Sequence, residues 1–259
     1  MNGKAEIGRD DLSRFFDELL EPQRFADYGP NGLQVEGVET VGRVAFAVSA
    51  TRDSVLRAAA DGAHALVVHH GLFWKFHGAR PLTGPFGRRV LPLVVHRVNL
   101  FAYHLPLDAH PRLGNAATLG RGVGLTELQP FGDHQGMPTG CKGLLPDPVA
   151  AEELQRRLAE VLQRPVLRSL PGEGRPIRSV GIITGAASGE WVQAERDGLD
   201  AFVTGELREH DWHEAAEAGI HLFAGGHHAT ERLGVRALMA EVEARLGLEC
   251  RFLDSDNPA

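Results

Sequence analysis

The sequence predicts an α/β protein built on mostly parallel sheets. Short apolar runs rich in β-branched residues alternate with segments of helical spacing, and the connections between them are short. This strand–helix–strand order is typical of parallel strands joined by crossover helices. The chain has 259 residues, of which 43% are hydrophobic and 24% charged. It is therefore long enough for one large or two modest domains, and it needs no disulfide to fold.

The first half of the chain opens with a helix and then alternates strands with helices. The predicted elements are a helix at 11–20, a strand at 43–48, a helix at 53–60, a strand at 65–68, a helix at 88–97 and a strand at 100–103. The segment 28–34 combines glycine, proline and asparagine, so we expect a turn there. The repeated alternation in this half is the main support for a parallel sheet.

The second half repeats the pattern after a break. Glycine, proline, aspartate and histidine interrupt the periodicity at 132–140, which is the best candidate for a domain boundary. The predicted elements are strands at 140–145, 179–184, 201–204, 221–224 and 249–253, and helices at 147–162 and 229–246. Asp147 and Pro148 suit an N-cap followed by proline at the first helical position, so the first of these helices should begin at Asp147.

Charge and cysteine content narrow the function classes. The formal net charge is -7, which argues against a broad nucleic-acid surface, so nucleic acid is not an expected partner. Cys141 and Cys250 are far apart in the sequence and are predicted to be thiols in a reducing compartment. The first twenty residues lack the apolar core of a signal peptide, and no apolar run is long enough to span a bilayer. We therefore expect a cytoplasmic protein without a membrane partner.

Histidine is unusually common, with 13 residues against two tyrosines. Polar clusters follow three predicted strands; their members are His69 and His70, His104 and Asp108, and His227, His228 and Glu231. Ligands bind in the crevice beyond the carboxyl ends of parallel strands, so these clusters are expected to converge. His227 and Glu231 are four residues apart and share one helix face. His228 is the alternative to His227 as the metal ligand from this cluster.

The grouped residue types indicate a metal site. Imidazole and carboxylate ligands suit Zn, Fe, Mn, Co or Ni better than Ca or Mg. With either His227 or His228 counted, the three clusters supply six side chains, His104 included. Six such groups suit two divalent metal ions with a bridging carboxylate. Adjacent His69 and His70 cannot point the same way from an extended strand, so we expect them in a turn closed by Gly71. Each cluster by itself could be structural; their conjunction favours metal.

Other segments allow further interpretations. Glu206 and His210 follow the strand 201–204, and they could act as a general base or substrate contact or simply belong to a strand-to-helix turn. The segment 184–189 could hold a phosphate on backbone N–H groups, although tight-turn packing is the default. No cofactor-binding fingerprint is present. No serine stands in a G-x-S-x-G motif, so a serine hydrolase is not supported.

Five motifs together resemble the NIF-three-like dinuclear metal-centre family, whose members are also named GTP cyclohydrolase I type 2 homologues. The motifs are NGLQV at 31–35, VHHGLFW at 68–74, HLPLDAH at 104–110, TGE at 204–206 and GHHATER at 226–232. One departure is the segment 48–51, which reads VSAT where many relatives carry an aspartate.

The resemblance implies a fold and an assembly. It implies two interlocked α/β domains, with residues 1–130 and 225–259 forming the ligand-bearing domain and residues 131–224 forming the second. It also implies a toroidal homohexamer. The implied metal ligands are His69, His70, Asp108, His227 and Glu231, and His104 would lie beside the metals.

The resemblance also implies an activity. The family name points to hydrolytic opening of the purine ring of GTP by metal-activated water, with release of formate. His104, Glu206 and His210 are then the candidates for proton transfer. The alternative is a non-catalytic, metal-binding hexameric adaptor or metal-delivery protein, which would bind metal without turnover.

Overall fold

The computed structural model describes residues 5–171 and 174–259; the first four residues of the amino-terminal segment considered above lie outside them. The strands are β1 (Ile7–Gly8), β2 (Gly32–Val35), β3 (Thr40–Val41), β4 (Arg43–Ser49), β5 (Ala65–His70), β6 (Asn99–Ala102), β7 (Thr126–Phe131), β8 (Gly140–Val149), β9 (Leu167–Ser169), β10 (Ile177–Ile182), β11 (Ala201–Thr204), β12 (His221–Ala224) and β13 (Glu249–Phe252). The helices are α1 (Arg9–Leu20), α2 (Arg52–Ala60), α3 (Gly84–Val95), α4 (Leu105–Asp108), α5 (Asn115–Gly122), α6 (Ala151–Leu162), α7 (Trp191–Arg196), α8 (Glu209–Glu217) and α9 (His227–Leu246).

The chain divides into two compact units. The first contains the residues up to Leu107 together with Val235–Asp256, and the second contains Asp108–Gly234 together with Asn257–Ala259. These bounds differ from the predicted domains 1–130 with 225–259 and 131–224. The difference arises because β7 pairs with β8, which places the segment before 131 in the second unit.

The first unit is built on a five-stranded sheet in the order β13-β4-β5-β6-β2. All neighbours are parallel except β2, which pairs with β6 in the antiparallel sense. Helices α2 and α3 cover one face, where Val55 and Leu93 join the apolar core with Leu66. On α1, Phe16 packs against the rings of Phe101 and Tyr103. Burial of central strands explains their nearly continuous apolar sequence.

The second unit is built on a six-stranded sheet in the order β7-β8-β10-β11-β12-β9. Strands β10, β11 and β12 are parallel, whereas β7, β8 and β9 join in the antiparallel sense. Helix α6 buries Leu154, Leu158 and Leu162, which are four residues apart and form one apolar stripe. The α/β class is therefore confirmed. The first sheet is mostly parallel and the second is mixed.

The predicted helix start at Asp147 is wrong. Strand β8 continues through Asp147 and Pro148 to Val149, which pairs with Ile177 of β10, and α6 begins at Ala151. Pairing with a neighbouring strand outweighed the local Asp-Pro signal. Strand β2 was likewise missed, because it begins within a segment of glycine, proline and asparagine that resembles a turn, and its structure depends on pairing with β6. None of the described helices has the length and apolar character needed to cross a membrane.

Candidate metal centre

Three histidines of the first unit converge at the carboxyl edge of its sheet. Strands β5 and β6 run parallel, with Val68 opposite Ala102, so both end at the same edge. His69 and His70 close β5, and His104 follows β6. One ring nitrogen from each of the three lies within 4.8 Å of those of the others. This spacing would allow all three to coordinate one ion. The structure thus brings His69, His70 and His104 together within this unit.

The predicted turn at His69 and His70 is wrong in detail, because both belong to β5. Their ring centroids are nevertheless 4.7 Å apart and tilted by 45°. Side chains of neighbouring strand residues normally point to opposite faces. Here the ladder between β5 and β6 ends at Val68, so both histidines lie beyond that ladder, whereas His70 still pairs with Ser49 of β4. His69 is fully buried and His70 is half-buried.

Oxygen atoms orient all three imidazole rings through their Nδ1 atoms. His69 Nδ1 lies 3.1 Å from the carbonyl oxygen of Tyr103. A carbonyl only accepts, so Nδ1 carries the proton and neutral His69 has its lone pair at Nε2, the form that binds a metal. His104 Nδ1 lies 2.7 Å from Asp27 Oδ1 and His70 Nδ1 lies 3.0 Å from Ser49 Oγ. Ser49 belongs to the segment 48–51 that departs from the family pattern.

Asp27 is a site residue that the sequence analysis missed. Its buried carboxylate accepts hydrogen bonds from His104 Nδ1, Asn31 Nδ2 and the backbone N–H of Leu105, at 2.7, 2.9 and 2.9 Å. Burial alone would raise the pKa of Asp27, but the hydrogen bonds and the charge of His104 outweigh burial and lower that pKa to about 2. Asp27 is therefore a fixed anion that holds His104. No spacing rule links it to a residue 77 positions away.

A second group lies in the second unit, at the carboxyl ends of β11 and β12. Glu206 follows β11, and His227 and Glu231 lie one turn apart at the start of α9. His227 Nδ1 lies 2.5 Å from Glu206 Oε1, and its Nε2 lies 3.2 Å from Glu231 Oε2. Burial would lower the pKa of His227, but the two carboxylates raise it to about 9. Metal binding through this imidazole would release its proton.

Gly185, which follows β10, fits closely against this second group. Its φ is +69°, a left-handed conformation, and its carbonyl accepts the backbone N–H groups of Gly205 and Glu206 at 3.0 and 2.9 Å. A Cβ at this position would overlap the Glu231 carboxylate. The backbone conformation therefore favours glycine, and a side chain at this position would displace the Glu231 carboxylate. Gly185 was singled out only as part of a possible phosphate loop.

Asp108 belongs to the second unit and is buried. Its Oδ1 accepts from Asn115 Nδ2 at 2.8 Å and from Thr184 Oγ1 at 3.4 Å. Thr184 directly precedes Gly185, so the segment 184–189 contacts carboxylates of this unit at its start. That arrangement favours tight-turn packing over a phosphate site, because adjacent negative charge opposes phosphate binding.

The three proton-transfer candidates differ in their surroundings. His104 lies with His69 and His70, whereas Glu206 accepts from His227 and so orients a predicted ligand. His210 is exposed at the start of α8, with its Nε2 3.6 Å from Asp211 Oδ1. In the described part of the chain, the sets of potential ligand atoms do not include His210. His228, the alternative to His227 as a metal ligand, is buried. Its backbone N–H donates to the Ala259 carbonyl.

The residues present fit a transition-metal ion. Imidazoles held by oxygen at Nδ1, and carboxylates held by neighbouring donors, are typical of metal ligands and their supporting partners. The chain therefore has histidine and glutamate groups that could hold a metal ion.

Comparison with known proteins gives consistent matches over almost the whole chain. The profile of the Duf34/NIF3 (NGG1p interacting factor 3) family matches residues 7–258. A GTP cyclohydrolase 1 type 2 homolog from Allochromatium vinosum is 43% identical over 249 residues, which cover 96% of each chain. One from Deinococcus radiodurans is 40% identical over 255 residues, covering 97% of this chain and 95% of that protein. The crystal structure of TTHA1606 from Thermus thermophilus has a TM-score of 0.89 at 35% identity, covering 98% of this chain and all of that one.

Proposed function

Since this chain belongs to the Duf34/NIF3 family, we propose that it is a metal-dependent hydrolase resembling GTP cyclohydrolase I type 2. The observation that carries the proposal is the group of His69, His70 and His104, whose ring nitrogens lie within 4.8 Å. Folding alone does not require three imidazole rings to be oriented toward one another at the ends of parallel strands. Imidazoles whose Nδ1 atoms are held by oxygen are typical of metal ligands and of the residues beside them.

The proposed ligands of two divalent metal ions are His69, His70, Asp108, His227 and Glu231. Two observations support this choice. The carbonyl oxygen of Tyr103 lies beside His69 Nδ1, and the carboxylates of Glu206 and Glu231 lie on either side of the His227 ring. The 3.2 Å separation of His227 Nε2 from Glu231 Oε2 favours His227 over His228 as the ligand. The mixed donor set suits Zn, Fe, Mn, Co or Ni.

The proposed reaction opens the imidazole ring of GTP and releases formate. Bound metal ions would supply a water molecule of lowered pKa. Opening the ring takes one water at C8 and breaks one C8–N bond, and release of formate takes a second water and breaks the other C8–N bond. Each addition of water needs a group that accepts a proton, and each cleavage needs that proton delivered to the departing nitrogen. His104 is the best-supported candidate, because Asp27 holds its Nδ1 and leaves Nε2 for proton transfer. Glu206 would orient His227, and His210 is the weaker candidate.

We further propose that the protein is a cytoplasmic homohexamer. Cys141 and Cys250 are free thiols, which suits a reducing compartment. The hexamer follows from the resemblance to the family. Light scattering would test it, with six times the 28.1 kDa chain mass as the expected result.

Metal content and turnover, measured on the same preparations, test the proposal. Elemental analysis should find about two ions per wild-type chain, as expected for a two-metal site, and fewer in His69→Ala and Glu231→Ala. The exposed His96 provides a matched control, so His96→Ala should keep the wild-type content. Circular dichroism would show that each variant is folded.

His104→Gln separates catalysis from binding. It should keep its metal but release formate from GTP roughly 10²–10⁴-fold more slowly, because a positioned proton-transfer group contributes that much. Folded wild-type protein without stoichiometric metal would contradict the proposal. Metal binding without any turnover would instead favour the adaptor or metal-delivery alternative.

A further inference from the structure

We propose that an aromatic cavity beside the three histidines of the first unit binds the planar ring of an anionic heteroaromatic ligand such as a nucleotide. The inference rests on the proposed function and deepens it by assigning the part of the protein that would recognise the base. We call this cavity the ring pocket. Its walls include Pro30, Phe73, Trp74, Lys75, Arg80 and Phe86.

The ring pocket has the size and composition of a small-molecule site. Its volume is about 340 Å³ and its walls are mainly apolar. Binding sites for small ligands are typically clefts of about 300–1,000 Å³ with apolar walls and a few polar groups. The proposed metal chemistry involves none of the six residues named above as walls, so the pocket has no role in the reaction as described so far.

Exposed aromatic rings lie in the pocket wall, at Phe73, and beside the pocket, at Phe76, which stacks on the wall residue Trp74. The Trp74 and Phe76 rings are stacked, with an interplanar angle of 22° and centroids 5.7 Å apart. Phe76 is 71% exposed and Phe73 is 37% exposed. Exposure of two large aromatic side chains within one short segment is unfavourable in water and indicates a surface that a ligand covers. Flat rings suit a flat partner, since aromatic rings prefer stacked or edge-on contacts.

Trp74 connects the pocket to the histidines. Its ring makes an edge-on contact with His104, with centroids 5.1 Å apart, and lies 6.0 Å from the ring of His70. A ring bound against Trp74 would therefore lie next to the imidazoles. This proximity is what a substrate needs if its heterocycle is the part that reacts.

Two cations give the pocket its preference for an anionic ligand. The guanidinium of Arg80 lies over the Phe86 ring, 4.2 Å from its centroid, and Arg80 Nη1 lies 3.1 Å from His77 Nδ1. Lys75 Nζ donates to the Asp27 carbonyl at 2.6 Å, which holds that ammonium in place. An arginine held against a ring suits a phosphate, because its planar fork can donate two parallel hydrogen bonds.

Calorimetric titration of the full-length protein with GMP tests the inference, in metal-stripped and zinc-loaded samples. The wild type should bind GMP more tightly than ribose 5-phosphate, which lacks the base, and more tightly than guanosine, which lacks the phosphate. Trp74→Leu should raise the Kd for GMP roughly 5- to 150-fold, because base–aromatic stacking contributes about 1–3 kcal/mol. Trp74→Phe should restore most of the affinity, since it keeps an aromatic face.

Matched variants separate recognition from general damage. Leu82 is in the same segment, is 50% exposed and is not among the pocket walls, so Leu82→Ala should leave GMP binding unchanged. Arg80→Gln should weaken GMP binding but leave guanosine binding nearly unaffected. Metal content of each variant, measured in parallel, distinguishes failure of this inference from failure of the proposed metal site.

Several results would overturn the inference. They are no difference between GMP and ribose 5-phosphate, equal weakening in Trp74→Leu and Leu82→Ala, and unchanged affinity in Trp74→Leu. Analytical ultracentrifugation of the same variants would show whether the aromatic surface is instead a contact between subunits. If Trp74→Leu alters the oligomeric state and leaves GMP affinity intact, the aromatic surface is a contact between subunits and not a ring pocket.

Discussion

At the scale of single residues, neighbouring oxygen atoms orient the histidines of the proposed metal centre. The Tyr103 carbonyl fixes the proton of His69 on Nδ1, and the Asp27 carboxylate does the same for His104. In the second unit, Glu206 holds His227. In His69 and His104 the contact selects the tautomer in which Nε2 can bind metal or transfer a proton. His227 differs, because its two carboxylate neighbours raise its pKa and it would lose a proton on binding metal. The supporting residues are therefore as much a part of the proposed centre as the ligands.

Gly185→Ala should reduce metal content through Glu231. The substitution adds a Cβ that overlaps the Glu231 carboxylate and also forces alanine into a φ of +69°. The second effect costs about 1–2 kcal/mol at any such position. Elemental analysis should show the loss of metal, and thermal unfolding should show the loss of stability.

Gly198→Ala is the matched control for Gly185→Ala. Gly198 has a φ of +66°, yet among the residues that the structure describes, apart from its two chain neighbours, none has a heavy atom within 4 Å of the position its Cβ would take. It should lose about as much stability from backbone strain, about 1–2 kcal/mol, and keep its metal. Equal metal content in the two variants would show that Gly185 does not govern the position of Glu231.

At the scale of secondary structure, strand ends carry the polar residues and strand bodies carry the core. Strand β5 is buried as far as His69 and ends with His69 and His70, and two residues separate the buried strand β12 from the helix that begins at His227. A strand covered on both faces tolerates few polar side chains in its body. The candidate metal ligands therefore lie at the ends of the strands or in the residues that follow them.

Asp200 organises the opposite ends of the parallel strands in the second unit. Its Oδ2 accepts from the backbone N–H groups of Arg178 and Ser179, at 2.9 and 2.8 Å, and from Ser179 Oγ at 2.9 Å. Burial opposes ionisation, but these hydrogen bonds outweigh it and lower the pKa of Asp200 below its usual value. The ionised carboxylate therefore stabilises the start of β10.

Asp200→Asn should show this contribution in the pH dependence of unfolding. A folded-state pKa below the unfolded one stabilises the fold at pH values above the usual aspartate pKa. That stabilisation is lost as the pH falls through the folded-state value. The variant should therefore be less stable by about 1–3 kcal/mol near neutral pH, and the difference should shrink in acid. Denaturant unfolding over a pH series measures it.

Asp197→Asn provides the comparison for Asp200→Asn. Asp197 is exposed and pairs with Lys142 at 2.7 Å. An exposed ion pair contributes little, so this variant should stay within about 0.5 kcal/mol of the wild type. A pH-independent deficit in Asp200→Asn would mean that the charge of Asp200 has no part in holding the strand start.

At the scale of the whole molecule, metal binding should appear as thermal stability. A ligand that binds only the folded chain at 100 times its Kd adds about 2.7 kcal/mol. For a chain of this size that corresponds to an increase in Tm of roughly 5–10 °C. Calorimetry should show this rise on adding zinc to chelator-treated protein, and a much smaller one with magnesium, since imidazole ligands disfavour it.

Substitution of the proposed metal ligands shows whether the zinc-dependent rise in Tm comes from the proposed site. The zinc-dependent rise in Tm should be reduced in His69→Ala and in Glu231→Ala, and unchanged in His96→Ala. If His69→Ala and the wild type gained equal stability, zinc would be binding elsewhere, such as at the exposed histidines.

Sequence patterns determined the α/β class, most strand bodies and the histidine and carboxylate clusters, because hydrophobic periodicity and ligand chemistry are local properties. Only tertiary structure decided that β8 extends to Val149, that Asp27 holds His104 and that Gly185 meets Glu231. Each of these depends on strand order and on pairing between segments far apart in the chain. No local spacing encodes such contacts, since the energy that selects them arises only when the sheet has formed.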